Sequence, residues 1–444
     1  MANKYSKLVT LSPCVLRAED RAREITLHAR EAYARTMLDG VERIRLIRRG
    51  SPSIKWRKWR SWNQWLQSIP PSEFRRLENG DLIVNVNTPE EGEYSLCLDK
   101  TDGNGGFAES CAFSLYALED DLFALTPFKG DFHMHSNRSD GAHSPEYVAA
   151  TCRRVGLDFM ALTDHRLYDP SLIARKAMAE LGCDMLVCPG EEVHLPDNAV
   201  HIINFGAGAS VNKLAADDEA SYMAEVEERM KTVPEKYDAV TRFQVAASEW
   251  AFDRIREFGG VAMFCHPYWK PSHHNYIGDD AISLIMERQK FDALEVISGF
   301  ELDELEDNML SLSLWQEALA KGRKIPVVGV SDSHDCDVSL TGWYYTVAFA
   351  EELTFESLAE ALRDGRGVAV YSPPGHFPLV VGPFRLTRFV YFLLREVYPF
   401  HDELCRVEGE IMRRALAGEE PEAREELARR RGKVGAFMAG CWER

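Results

Sequence analysis

The chain has 444 residues, 45% of them hydrophobic and 27% charged, and a formal net charge of −18. That length exceeds one ordinary core and implies about two to three soluble globular domains. The negative balance disfavours broad electrostatic binding to nucleic acid or to an anionic membrane, since both need a positive footprint.

The opening residues, Met1-Ala2-Asn3-Lys4-Tyr5-Ser6-Lys7, lead into no apolar run of signal-peptide length. No stretch approaches transmembrane length. The ten cysteines form no CxxC pair. Cys183 and Cys188 suit a helix end and a strand better than a zinc site. This usage fits reduced, mostly buried thiols in a cytoplasmic protein.

Residues 1–127 read as a β-rich, sandwich-like accessory domain. Strand alternation occurs at Ile25-Thr26-Leu27-His28, at Leu82-Ile83-Val84-Asn85-Val86 and at Tyr94-Ser95-Leu96-Cys97-Leu98. Turn clusters such as Glu78-Asn79-Gly80-Asp81 separate these runs. The segment Lys55-Trp56-Arg57-Lys58-Trp59-Arg60-Ser61-Trp62-Asn63-Gln64-Trp65 interleaves basic and aromatic residues. Such a pattern stacks bases or sugars. Packing of the tryptophans on a sheet or a neighbouring domain is the better reading in so acidic a chain.

From residue 128 to about 380 strands alternate with helices. Helices are predicted over 144–155, 170–181, 301–321 and 354–363. Strands are predicted over 156–163, 184–188, 200–205, 260–265, 292–297, 325–331, 344–349 and 367–371. A helical insertion covers about 212–258. Such alternation implies a parallel sheet or barrel. Residues 381–444 read as a helical C-terminal extension, with dense opposite charges at helical spacing over 419–431.

The chemistry concentrates where the predicted strands end. Gly130-Asp131-Phe132-His133-Met134-His135-Ser136-Asn137-Arg138-Ser139-Asp140-Gly141 puts two histidines at strand spacing, with a carboxylate after a short turn. Two imidazoles and a carboxylate suit Zn, Mn or Fe. His165, Glu192, His201, His266, Asp332 and His334 stand at or near other strand ends, where parallel α/β folds build their sites. Any one of these could be a satisfied core residue. Burying all of them without a partner is costly, so together they imply metal.

These motifs resemble the PHP (polymerase and histidinol phosphatase) domain, a family of metal-dependent phosphoesterases related to the amidohydrolases. The resemblance covers about residues 129–371. It rests on the HxH stretch above, on Leu162-Thr163-Asp164-His165, on Pro189-Gly190-Glu191-Glu192 followed by His201, on Cys265-His266-Pro267, and on Val330-Ser331-Asp332-Ser333-His334. It implies an α/β fold of the distorted (β/α)7 barrel type, TIM-like, with a trinuclear metal centre. His133, His135, Glu192 and Asp332 would bind one ion. Glu192 would bridge to a second ion held by His201 and His266. Asp140, His165 and His334 would hold a third. Glu191 competes with Glu192 for the bridging role, and the family spacing favours Glu192.

The cofactors implied are two or three divalent ions, Zn, Mn or Fe. A hydroxide bridging two ions would serve as nucleophile, so no side-chain nucleophile is required. Asp131 and Asp164 could orient imidazoles or be ordinary turn carboxylates. Arg138 could meet a phosphate bidentately or form a surface salt bridge. His194 and His273, with His274, could contact substrate near the mouth or lie in solvated loops. The leading expectation is a hydrolase, a phosphoesterase acting on a small phosphorylated substrate, either a phosphomonoester or a nucleotide. The alternatives are a 3′-5′ exonuclease or phosphodiesterase on nucleic acid, and a non-catalytic metal-binding sensing module.

Overall fold

The computed structural model describes residues 8–50, 66–101, 107–271, 274–299, 304–338 and 340–443. The Lys55–Trp65 segment therefore lies outside the described residues. The chain divides into two compact units. One comprises residues 1–125, 388–401 and 433–444, and the other residues 126–387 and 402–432. Residues 381–444 thus contribute to both. Among the described residues no helix is long and apolar enough to cross a membrane.

The first unit holds a four-stranded and a five-stranded sheet. Strand Leu82–Thr88 buries every second residue (Leu82, Val84, Val86 and Thr88), as a one-sided sheet requires. In the other sheet, Gly92–Thr101 pairs antiparallel with Phe107–Leu118 and with Arg43–Arg48. The C-terminal helix Lys433–Cys441 belongs to this unit, and its Cys441 carbonyl accepts the Cys14 N–H at 2.8 Å.

The second unit carries the histidine motifs. Its strands form a six-stranded sheet ordered Leu186–Cys188, Phe159–Ala161, Thr126–Asp131, Tyr344–Ala350, Gly367–Tyr371, Leu379–Val381. A five-stranded sheet is ordered Gly190–Val193, Ile202–Phe205, Val261–Phe264, Ala293–Ile297, Val327–Gly329. The fold is mixed α/β. The expected closed barrel is not seen among the described strands, whose ladders make two sheets. The purely parallel arrangement also gives way. Gly190–Val193 pairs antiparallel with Ile202–Phe205, and Tyr344–Ala350 with both Thr126–Asp131 and Gly367–Tyr371. The loop from Val193 to Ile202 is too short for a crossover helix, so it makes an antiparallel pair.

Helix Pro145–Arg154 starts at Ser144, whose hydroxyl accepts the Tyr147 N–H. The insertion forms helices Val211–Asp217, Glu219–Met230 and Ala239–Glu257. The last buries Val245, Trp250, Phe252 and Ile255 in one cluster with Ile202 and Phe264. Beneath the histidines, Phe132, Phe159, Phe205, Met263, Val328 and Leu358 form a second cluster. The Phe132 ring lies 5.1 Å from Phe159 and 4.8 Å from Phe205. Residues 402–432 are tied to this unit by ion pairs. Lys129 Nζ lies 2.7 Å from Asp402, and the buried Arg153 grips Glu408 Oε2 at 2.9 and 2.7 Å.

Candidate metal centre

Strand Thr126–Asp131 runs straight into the HxH segment. That segment stays extended because both flanks bond to it. Thr163 N–H donates to the Met134 carbonyl at 2.8 Å, and Asp332 N–H donates to the His133 carbonyl at 2.9 Å. His135 N–H donates to Ser333 at 3.0 Å. Phe132 and Met134 are buried, so His133 and His135 point together to the other side.

Four side chains meet there. His135 Nε2 and His133 Nε2 lie 3.0 and 3.2 Å from Asp332 Oδ1. The same nitrogens are 3.6 and 3.4 Å from Glu192 Oε2. Asp332 holds its place with a left-handed φ of 47°, an uncommon conformation for a residue with a side chain. On the far side of Glu192, Oε1 is 2.8 Å from His201 Nδ1 and 3.5 Å from His266 Nε2. Nearer the surface, Asp140 lies 3.2 Å from His165 Nε2 and 3.5 Å from His334 Nε2. The structure thus brings His133, His135, Asp140, His165, Glu192, His201, His266, Asp332 and His334 into one cluster. His133, His135 and Glu192 are almost fully buried, the Asp332 side chain is 21% exposed, and the Asp140 side chain is 53% exposed.

Glu191 and Glu192 separate cleanly because adjacent strand residues face opposite sides. Glu191 accepts from Asn204 Nδ2, Ser210 Oγ, the Val211 N–H and Asn212 Nδ2. Both Glu192 carboxylate oxygens are buried against imidazole nitrogens, with His165 Nδ1 at 2.6 Å and His201 Nδ1 at 2.8 Å, and neither contact is aligned as a hydrogen bond. His133 Nε2, His135 Nδ1 and His266 Nδ1 are likewise buried without a hydrogen-bond partner. Orphaned buried polar atoms are costly. His133 Nε2, one of these orphans, faces Glu192, as do His135 Nε2 and His266 Nε2, and these nitrogens and oxygens make a donor set that fits divalent transition ions.

The electrostatics agree with a site dominated by negative oxygens. Burial depresses His133, yet Asp332, Glu295 and Glu192 together lift it well above the ordinary imidazole value. Burial pushes His201 down to about 4 despite Glu192. Burial opposes the charged form of Asp332, but His133 and His135 hold its carboxyl below the usual range.

Glu295 is a site residue the sequence reading missed. It is fully buried in the apolar strand Ala293–Ile297. Its Oε1 lies 2.9 Å from His133 Nδ1, and its Oε2 accepts the His266 N–H at 3.1 Å. A lone carboxylate inside an otherwise apolar strand was the available signal.

Asp131 and Asp164 do not orient imidazoles. Asp131 accepts the backbone N–H groups of His133 and Ser331, and burial pushes its carboxyl up to about 7. Asp164 accepts from Ser136 N–H and Oγ and from Ser139 N–H and Oγ, so it pins the turn beside the cluster. Arg138 is exposed on that turn. His194 sits deeper than a mouth residue. Its Nε2 is 3.3 Å from Glu192 Oε1, and its ring stacks 3.8 Å from His201. His273 lies outside the described residues, and His274 is exposed.

No protein-family model matches the chain. A 53-residue stretch is 45% identical to the DNA polymerase/3'-5' exonuclease PolX of Bacillus subtilis, covering 12% of this chain and only 9% of that protein. A two-domain Bacteroides vulgatus protein with a PHP-like metal-dependent phosphoesterase domain aligns at TM-score 0.41 and 20% identity, over 60% of this chain and 70% of that one. A Bifidobacterium adolescentis protein named as a metal-dependent phosphoesterase gives 0.33 and 19%, over 46% and 87%. An amidohydrolase from Chromobacterium violaceum, solved with sulfate and without metal, gives 0.30 and 22%, over 46% and 87%.

Proposed function

We propose that the chain is a metal-dependent phosphoesterase of the PHP type that hydrolyses a small phosphorylated substrate. The observation that carries this reading is Glu192, whose two buried, unbonded oxygens face His133, His135, His201 and His266. The ordered motifs shared with the PHP family support it. In this reading His133, His135, Glu192 and Asp332 hold one ion, and Glu192, His201 and His266 a second. Asp140, His165 and His334 hold a third nearer the surface. The ions are Zn, Mn or Fe. Bound there, they supply charge neutralisation for the phosphoryl group and lower the pKa of water.

The chain's own residues do the rest. Glu295 accepts the His133 Nδ1 proton and so keeps Nε2 aimed at Glu192 and Asp332. The Asp332 carbonyl, 2.8 Å from His334 Nδ1, does the same for that ring. Asp164 fixes the 136–139 turn, from which Arg138 reaches non-bridging phosphate oxygens. His194 lies beside Glu192, in reach of a phosphoryl oxygen. Phosphate release from a panel of phosphomonoesters and nucleotides, before and after chelation, tests the reading.

A second reading is 3′-5′ exonuclease action on nucleic acid, favoured by the short likeness to PolX. The net charge of −18 opposes it. Degradation of end-labelled single-stranded DNA, lost in His133→Ala, distinguishes the two.

A further inference from the structure

Two aromatic rings beside the histidine cluster have no part in the reading above. Trp269 and Tyr276 lie in the loop that follows His266. Their ring centroids are 5.1 Å apart and their planes cross at 68°, an edge-to-face corner. The corner borders the His201–His266 side of the centre. Trp269 is 5.6 Å from His201 and 5.8 Å from His266, and Tyr276 is 5.6 Å from His201.

The backbone fixes this placement. Trp269 N–H donates to the His266 carbonyl and Tyr276 N–H to the Trp269 carbonyl, each at 3.0 Å. The neighbouring Tyr268 packs against a hydrophobic cluster, and Trp269 is partly buried. Tyr276 is 43% exposed. An exposed aromatic ring beside a strongly polar centre gains little from burial in the free protein, and has much to gain from a ligand ring.

The geometry points to Trp269 and Tyr276 as a specificity corner that receives a planar aromatic ring, such as a nucleobase, carried by the phosphoester held at the metal centre. This inference rests on the phosphoesterase reading. A ring entering the corner stacks on one aromatic face and meets the other nearly edge-on, both favourable arrangements. A sugar phosphate without a ring gains neither contact, so the corner selects among phosphoesters rather than binding all of them more tightly.

The test compares kcat/KM for adenosine 5′-monophosphate and ribose 5-phosphate, which share the reacting phosphoester. Stacking of a base is worth about 1–3 kcal/mol, so Trp269→Leu should lower kcat/KM for the nucleotide about tenfold and leave ribose 5-phosphate within about twofold. Trp269→Phe keeps a ring and should retain most of the preference. Equal kcat/KM on the two substrates in the wild type, or an equal loss on both in Trp269→Leu, overturns the corner while leaving the phosphoesterase reading intact. Adenosine binding to the metal-loaded protein, by equilibrium dialysis, serves if no phosphoester is turned over. Binding kept in Trp269→Phe and lost in Trp269→Leu then supports the corner although the reading has failed. No binding of adenosine overturns the corner.

Discussion

Glu295 Oε1 and His133 Nδ1 lie 2.9 Å apart, and both side chains are fully buried. A carboxylate accepting from one ring nitrogen fixes the tautomer and raises the basicity of the other. The other nitrogen here faces Glu192 and Asp332. Glu295→Gln keeps the shape and an acceptor but removes the charge. It should weaken metal binding about tenfold, measured by competition with a chromogenic chelator. Unchanged affinity would show that Glu295 has no influence on the centre.

The outer trio should be separable from the inner ligands. Asp140 is half exposed and contacts His165 and His334, whereas Glu192 is buried among the inner histidines. Asp140→Ala should therefore lower metal content by about one ion per chain while the inner sites stay loaded. Elemental mass spectrometry of the purified variant reads this directly. Full metal content in Asp140→Ala would contradict the assignment of an ion to that trio.

Much of this centre was legible in the sequence because its residues stand at strand ends, where a period of two and a change to polar turn residues are local signals. His133, His135, Glu192 and Asp332 were found that way. Glu295 was not, because a single charge in an apolar strand looks like a surface position until its partner, far away in sequence, is known. The choice between the two roles open to Asp131 and Asp164 could not be made from sequence for the same reason. They bond to backbone and hydroxyl groups brought close only by folding. Strand direction was also hidden. Alternation marks a strand but not its sense, and only the short 193–202 connection hinted at an antiparallel pair.

The ion pair between Arg153 and Glu408 is almost fully buried and joins helix Pro145–Arg154 to the 402–432 segment. Removing Glu408 leaves the buried Arg153 guanidinium with the longer contact to Asp158, at 3.5 Å. Glu408→Ala should cost about 3 kcal/mol of stability, read as a lower midpoint in denaturant, without altering metal content. A midpoint equal to that of the wild type would contradict this.

Asp99 gives the first unit an acid-sensitive element. Burial raises its carboxyl, but hydrogen bonds from Arg45 and Ser110 outweigh that and hold it below the usual range. A depressed folded value stabilises fully above the unfolded pKa of about 3.9, and the contribution fades as pH falls through the folded value. Asp99→Asn should therefore lower Tm at neutral pH, with the gap from the wild type shrinking below about pH 4. A gap that stays constant with pH would rule out the ionised pair as its source.

The central claim is metal-dependent phosphoester hydrolysis at the Glu192 cluster. Its most direct test is phosphate release from phosphomonoesters and nucleotides by protein of measured metal content. The account predicts release that chelation abolishes, that added Mn, Zn or Fe restores, and that His133→Ala lacks. Metal-loaded protein that releases no phosphate from any member of the panel, or releases it equally after chelation, would contradict the account.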